Sequence, residues 1–376
     1  SAFRRSVETG GALGVMCSYN SINGVPSCAN EWLLTTQLRD KWGFDGYVTS
    51  DSGAVVDISD SHFYTPDLET ACVKAVQAGC DVESAPWKSG QPWATDGPYI
   101  QYLPGAVQKG TLEQAVLDTA VSRALNLRFR MGLFDPIDDQ PLWNVSKDVV
   151  QSPENVAAAV ESTDQGLVLL QNPMTPSTTS STSTTSTGAV LPFDVSLSTA
   201  LIGPQTLSRS LLVGNYIGQI CPGLDSHGQE TFDCVQNLAE GIGNVTKEAP
   251  IIAEGLLTVT STSKLLFPEA IAAAKQAKQV VMFLGNDGSV EGEGHDRHNV
   301  TLPGAQQQLF DAVYEVNPNV VVVLFNGGAI SVDKIKASNA AIIEAWYPGL
   351  YGASTVARSI FGQLNRWGKL PVTVYS

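Results

Sequence analysis

The chain has 376 residues, 43% of them hydrophobic and 16% charged, enough to build two packed cores and too apolar for a disordered protein. Its 22 Lys+Arg stand against 37 Asp+Glu, a formal net charge of -15, and a field of that sign repels nucleic-acid phosphates and anionic lipid headgroups. The longest apolar runs, such as Val320 to Phe325, are of strand length and fall well short of the ~18 residues that span a bilayer, so neither nucleic acid nor membrane is an expected partner.

Leu13 to Ser18 reads as a short buried strand, followed by a loop (Asn23-Gly24-Val25-Pro26-Ser27) and a helix from Asn30 to Trp42 that Asn30 caps and Gly43 stops. Tyr47 to Ser50 is the next strand. A strand, helix, strand order predicts a right-handed crossover and parallel pairing. Thr65 and Pro66 open a helix to about Ala78, a short strand begins at Asp81, and a long loop from Ser84 to Gly97 carries Trp87 and Trp93. Thr111-Leu112-Glu113-Gln114 has the form of a capping box, and Leu117, Val121, Leu125 and Phe129, spaced four apart, predict a stripe packed on the sheet. Trp32, Trp42 and Trp346 are read as core residues.

Pro136, Pro141 and several acids break the periodicity between Phe134 and Val149. The first domain is therefore placed at 1–135, a linker at 136–152 and the second domain at 153–376. The second domain opens with a helix near Pro153. Strand-like runs follow at Leu167 to Leu170, Ala200 to Gly203, Gln279 to Leu284, Asn319 to Phe325 and Ala341 to Ala345. Helical patterns lie between the later ones, at Pro268 to Lys278, Pro303 to Val316 and Ser331 to Ser338. This is an α/β chain whose second domain has a mostly parallel sheet, interrupted by a Ser/Thr-rich insertion at 173–188 read as a solvated surface loop.

The six cysteines contain no CxxC pair, which argues against zinc-ribbon and thioredoxin chemistry. Cys221 and Cys234 flank a Gly/Asp-containing loop and are expected to pair; Cys72 with Cys80 is the second candidate. Sequons at Asn144, Asn244 and Asn299 and the Ser/Thr run from Ser177 to Thr187 fit a glycosylated, secreted, extracellular protein. No basic n-region and apolar h-region precede Ser1, so a signal peptide was removed or the start is missing.

Two places could carry chemistry. Asp51 follows the strand Tyr47 to Ser50, where βα loops build active sites in barrels, although an Asp at a strand end is also an ordinary cap or turn former. The strand from Gln279 ends in a Gly-rich loop, Gly285 to Arg297, holding Asp287, Glu291, Glu293 and Asp296. Its register does not match a calcium loop. His295 and His298 would ligate a metal only with a converging third ligand. No GxGxxG follows a strand, and no GxxxxGK[ST] or GxSxG occurs, so no nucleotide, metal or other cofactor is expected. Two carboxylates on separate domains remain, and glycoside hydrolysis is the common chemistry that needs two acids on opposite sides of a scissile bond.

The stretches Val15-Met16-Cys17-Ser18-Tyr19-Asn20, Asn23 to Asn30, Gly43-Phe44 and Ser50-Asp51 resemble glycoside hydrolase family 3, and within it the fungal and plant β-xylosidases. Collinear matches continue at Ala78 to Asp81, Arg128 to Asp135, Leu169 to Asn172, Ile202-Gly203-Pro204, Gly214-Asn215-Tyr216, Leu302-Pro303-Gly304 and Gly368 to Val372. The resemblance implies the C-terminal part of a (β/α)8 barrel over 1–135, then an α/β sandwich domain. It implies an exo-acting retaining β-xylosidase that releases xylose from xylo-oligosaccharides without a cofactor. Asp51 falls at the nucleophile position and Glu291 at the acid/base position, with Glu293 as second choice. Tyr19 matches a glycone-lining tyrosine, Met16 and Trp87 are further candidates for the substrate site, and Asp296-Arg297 matches a pair that shapes the loop, Arg297 as a structural ion-pair partner.

Departures from the family pattern matter too. Relatives carry the early barrel strands, with a Lys-His motif and further sugar-binding acids and arginines, and an immunoglobulin-like third domain. Neither appears here, so the chain is expected to be a fragment. A barrel without its early strands leaves two sheet edges uncovered, which puts the activity of the chain alone in question. Ser52 stands where xylosidase-like members have Cys and glucosidase-like ones Trp. A β-glucosidase, an α-L-arabinofuranosidase and a carbohydrate-binding inactive relative are the alternatives; the oligomeric state is not legible.

Overall fold

The computed structural model describes residues 1–84, 97–174, 188–229 and 231–375. Trp87, Trp93 and the Ser/Thr run lie outside the described residues. The chain forms two compact units, Ser1–Ser146 and Lys147–Ser376.

The first unit starts with α1 (Ala2–Glu8) and β1 (Gly14–Cys17). A small hairpin, β2 (Ser21–Ile22) and β3 (Val25–Pro26), occupies what reads in sequence as a plain loop. A helix over Trp32–Lys41 follows, wound in the wide π manner, so that the Trp42 N–H reaches back to Gln37 O. The Asn30 side chain accepts from Leu33 N–H (3.0 Å) at its start, and Gly43 takes a left-handed φ of 70° at its end. β4 (Tyr47–Ser50) then pairs in parallel with β1, from Gly14↔Tyr47 to Cys17↔Ser50, the pairing that the crossover demands.

The strand expected from Asp81 is reduced to one parallel bridge, Thr49↔Val82. The reason is Asp81 itself. Its Oδ2 accepts the Val48 N–H (2.8 Å) and the Arg39 guanidinium (2.5 Å), and its Oδ1 accepts Arg123 (3.0 Å). A side chain thus supplies the ladder bond that backbone would otherwise make. Burial lowers the pKa of Arg39, against the raising effect of the Asp81 charge.

Helices α2 (Ala54–Asp60), α3 (Leu68–Ala78), α4 (Pro98–Lys109) and α5 (Gln114–Arg130) complete the unit. Several details differ from the sequence reading. α2 was not expected. α3 is capped by Asp67, whose Oδ1 accepts Thr70 N–H (2.7 Å), and begins after Thr65-Pro66. The capping box does not form: the Thr111 hydroxyl closes the end of α4 by donating to Ala106 O (3.0 Å), and Glu113 at the N-cap makes no side-chain capping bond. The stripe on α5 is exposed, with Val121 at 48%, Leu125 at 39% and Phe129 at 63%, while Ala120 and Ala124 are buried. At 3.6 residues per turn, a four-residue step drifts about 40°, so Leu117 and Phe129 lie about 120° apart around the helix. Only Leu117 of that stripe packs against the core. Trp32 is also exposed, at 54%, a correction to its reading as core; Trp42 packs partly buried against the core.

The second unit holds α6 (Pro153–Gly166), then β5 (Val168–Gln171), β6 (Thr199–Ile202), α7 (Leu238–Gly243), β7 (Ile251–Ala253) and α8 (Phe267–Gln276). β8 (Gln279–Gly285), α9 (Gln306–Val316), β9 (Val320–Phe325), α10 (Asp333–Lys336), β10 (Ala341–Glu344) and α11 (Gly352–Ile360) follow. The strands form one six-stranded sheet in the order β5-β10-β9-β8-β6-β7, parallel except for the β5/β10 pair. Both faces are covered, which is why β8 after Gln279 and all of β9 are apolar and not alternating. Val281, Phe283, Val321 and Val323 face the core shared with α7 and α11, while Val280, Met282, Val320 and Val322 face the core shared with α8 and α9. α11 was missed because it begins with small residues, Gly352-Ala353-Ser354-Thr355. They let α7 approach so closely that a Cβ on Gly241 would lie 2.6 Å from Ala353 O. The ends of the insertion are tied together by the Met174↔Ala189 bridge and by paired bonds between Asn172 and Leu191.

Candidate active site

In the first unit, Met16, Tyr19 and Asp51 gather at the C-terminal ends of β1 and β4. The Asp51 N–H continues the ladder to Cys17 O (2.9 Å), and its Oδ1 accepts the N–H of Ser52 (2.7 Å). Tyr19 swings its hydroxyl over the same turn and donates to Ser52 O (2.8 Å), while its own carbonyl meets His62 Nε2 at 2.7 Å. On the other side, Ser52 Oγ meets Ser84 Oγ (3.0 Å), the Ser84 N–H donates to Ser50 Oγ (2.9 Å), and the Gly53 N–H donates to Ser84 O (3.2 Å). The Asp51 turn is thus laced to its neighbours on both sides, with the carboxylate half-exposed. Met16 is 55% exposed. Trp87 lies outside the described residues.

Glu83, one residue beyond the Val82 bridge, did not stand out in the sequence. Burial raises its pKa. Its Oε2 accepts the Tyr99 N–H at the start of α4 (2.9 Å), and its Oε1 is buried without a hydrogen-bond partner. The first of these contacts makes it a remote cap of α4.

Glu291 belongs to the second unit. β8 ends at Gly285, where φ is 141° and a Cβ would lie 1.9 Å from Phe325 O. Asn286 is fully buried: its N–H donates to Phe325 O (2.9 Å), its carbonyl accepts Gln205 Nε2 (2.8 Å), and its Oδ1 accepts the Tyr347 hydroxyl (3.2 Å). Asp287 then turns the chain, its Oδ1 accepting both Ser289 N–H (2.9 Å) and Ser289 Oγ–H (2.6 Å). The turn brings Glu291 back over Asn286. Gly292 and His295 pair in both directions, which leaves Glu293 and Gly294 at an exposed hairpin tip. Arg297 returns to Glu291, Nε to Oε2 at 3.4 Å, and donates through Nη2 to Ala329 O (2.6 Å).

The C-terminal ends of β9 and β10 add further polar groups. Asn326 is buried, with Nδ2 donating to Gly328 O (3.1 Å) and Oδ1 without a partner. Glu344, 3% exposed, accepts the Trp346 N–H (3.2 Å), and burial pushes its pKa up to about 7. Burial, with the charges of Glu291 and Asp287, pushes the Tyr347 phenol up to about 12. Neither Glu344 nor Asn326 stood out in the sequence; the signal was their place at the ends of parallel strands, where open α/β sheets bind ligands.

Disulfides join Cys221 to Cys234 and Cys17 to Cys28, whereas Cys72 and Cys80 are buried free thiols. The second candidate pairing from the sequence is therefore corrected: Cys17 is the residue that reaches a partner, with Cys80 Sγ 3.7 Å away. Among the described residues the one cluster with metal-ligand composition is Cys17, Cys28 and Cys80, two of them spent in the disulfide. Asn144, Asn244 and Asn299 are all exposed. No described helix is long and apolar enough to cross a membrane.

Residues 167–376 match the glycosyl hydrolase family 3 C-terminal domain, and residues 1–127 match the family 3 N-terminal domain. The chain belongs to glycosyl hydrolase family 3. It is 34% identical to a probable β-D-xylosidase of Arabidopsis thaliana across 99% of this chain and 44% of the relative. It is 32% identical to a probable exo-1,4-β-xylosidase of Aspergillus terreus across 96% of this chain and 43% of the relative. The chain thus spans less than half the length of these relatives. Among solved structures, a family 3 exo-β-xylosidase in complex with a xylobiose aziridine probe superposes with a TM-score of 0.76 at 30% identity, over 95% of this chain and 42% of that one. A β-glucosidase from Erythrobacter marinus gives 0.78 at 28% identity, over 99% and 48%.

Proposed function

We propose that this chain is part of a secreted, exo-acting β-xylosidase that removes xylose from xylo-oligosaccharides with retention of configuration. The observation that carries the reading is Asp51 at the end of a parallel strand, its backbone held by Cys17 and its turn braced by Tyr19 and Ser84, in a chain whose named relatives include β-xylosidases of plants and fungi. Asp51 would attack the anomeric carbon. A glutamate of the 286–297 loop, Glu291 by resemblance and Glu293 next to it, would protonate the leaving oxygen and then, as a base, activate water against the glycosyl-enzyme. Tyr19 and Met16 would line the sugar site. The three exposed sequons support a secreted glycoprotein.

The test is turnover of aryl β-xyloside, aryl β-glucoside and aryl α-L-arabinofuranoside by the full polypeptide, with Asp51→Ala as control. Xyloside preference and loss of at least roughly 10³-fold in the variant are expected; an equally active variant removes Asp51 from the reaction. A β-glucosidase is the second reading, favoured by the superposition on the Erythrobacter enzyme, and glucoside preference would establish it.

A further inference from the structure

In the second unit, the C-terminal half of α6 and the chain beyond α11 enclose a pocket of about 430 Å³, lined by Glu161, Gln165, Arg366, Trp367 and Gly368. That is the size of a small-ligand site. Its two walls are fixed to each other by backbone. The Gly368 N–H donates to Leu167 O (2.7 Å), just past the end of α6, and a Cβ on Gly368 would lie 2.5 Å from Gln165 O. The pocket is therefore formed before any ligand arrives. Glu161 and Gln165, four residues apart, share one face of α6. Glu161 Oε1 accepts both Gln165 Nε2 (2.5 Å) and Arg366 Nη1 (2.6 Å). Those bonds orient three planar groups without using Glu161 Oε2, Gln165 Oε1 or Arg366 Nε and Nη2, at a rim where the Glu161 and Arg366 side chains are 53% and 54% exposed. The hydroxyls of a sugar ring, each both donor and acceptor, match such a mixed row. An anion would meet the Glu161 charge at the same place, in a chain whose net charge is already -15. Trp367 packs partly buried against the core shared with α7 and α11, and its indole N–H is committed to Asn365 Oδ1 (2.8 Å). What it offers a ligand is ring surface, on which the C–H face of a pyranose can lie.

We propose that this pocket is a second saccharide-binding site, which holds a neutral β-1,4-linked pyranose chain on the Trp367 ring while Glu161, Gln165 and Arg366 bond its hydroxyls. Glu161 is the one carboxylic acid among the lining residues, and glycoside cleavage needs two, so the pocket binds the chain without cutting it. The choice of a saccharide over other neutral polyols rests on the glycosidase reading.

The test uses the full polypeptide carrying Asp51→Ala, so that the chains survive, in native gels cast with soluble neutral xylan and in calorimetric titrations with xylohexaose. The gel should retard this parent. Adding Trp367→Ala should weaken the binding that causes retardation roughly 10-fold or more, and adding Glu161→Ala or Gln165→Ala should weaken it roughly 3- to 10-fold. The last two residues are exposed, so they decide the matter if thermal unfolding shows that Trp367→Ala has lost its fold. Inorganic phosphate should not compete, and cellohexaose bound as well as xylohexaose agrees with a site for neutral pyranose chains. A parent that is not retarded, retardation unchanged in all three variants, or displacement of the sugar by phosphate would each overturn the proposal. Turnover of aryl β-xyloside with Asp51 intact tests the catalytic reading separately. An inert enzyme that is still retarded through Trp367 leaves the pocket standing, and an active enzyme whose variants run like the parent removes the pocket alone.

Discussion

The N–H of Asp51 donates to the carbonyl of Cys17 across 2.9 Å, at the point where β1 and β4 both end. Cys17 is in turn bonded to Cys28. The end of β1 that accepts the Asp51 N–H is therefore tied covalently to the segment that follows the β2/β3 hairpin.

This gives a stability prediction. Replacing Cys17 and Cys28 together by Ser should lower the unfolding free energy by about 2–4 kcal/mol, the usual loss for a closed loop of this size. Denaturant titration under non-reducing conditions reads it, with the Cys221–Cys234 disulfide intact in both proteins. The double change is needed because Cys80 Sγ lies 3.7 Å from Cys17 Sγ and a lone Cys17 would have a second partner within reach.

Burial pushes the thiols of Cys72 and Cys80 up to about 12, and the thiolate is the reactive form. Folded protein at pH 8 should take up no iodoacetamide at either residue, and denatured, unreduced protein should take up one equivalent at each. Mass mapping of alkylated peptides checks both. Labelling of Cys80 in the folded state would mean that the first unit opens readily.

Glu344 ties stability to pH. Its pKa rises from 4.5 to about 7 on folding through burial, so the folded state holds its proton more tightly than the unfolded chain. The contribution is full below pH 4.5, falls as pH rises towards 7, and is gone above it. Its size is about 3 kcal/mol. Glu344→Gln should flatten the dependence of Tm on pH between 4.5 and 7 and raise Tm relative to the parent above pH 7. An unchanged slope would locate the titration elsewhere.

Asp81 joins two arginines and a strand amide with its side chain fully buried. Asp81→Ala leaves Arg39, 8% exposed at its side chain, without its charge partner, and should cost about 3–5 kcal/mol. Asp81→Asn should cost less, because an amide oxygen still accepts the Val48 N–H. Thermal unfolding of both variants measures the difference.

The second unit was largely legible in sequence because its strands are buried on both faces. Runs such as Val320 to Phe325 have no polar residue to obscure them, and α8 and α9 follow with clear turns of apolar residues. Pattern failed where side chains replaced backbone partners. The expected strand at Asp81 is cut short by its own carboxylate, and the Thr111 hydroxyl is drawn to Ala106 O and away from a cap. It failed again where helices were short or built of small residues: α2 is rich in β-branched Val55, Val56 and Ile58, and α11 shows its packing only once Gly241 is seen against Ala353. For the acidic loop, the spacing exposed four carboxyl groups without ranking them. What separates Glu291 from Glu293 is the company of Arg297, Asn286 and Gly328, the last of which lies 37 positions away and leaves no periodic trace.

The pairing of β5 with β10 has a consequence for biosynthesis. Gln171 meets Ile342 in that ladder, so the first strand of this sheet to leave the ribosome waits for its last before the two can pair. Slow folding follows from such distant closure. Synonymous or charge-bearing changes that alter translation speed between these two segments should therefore affect soluble yield without touching the folded protein's stability.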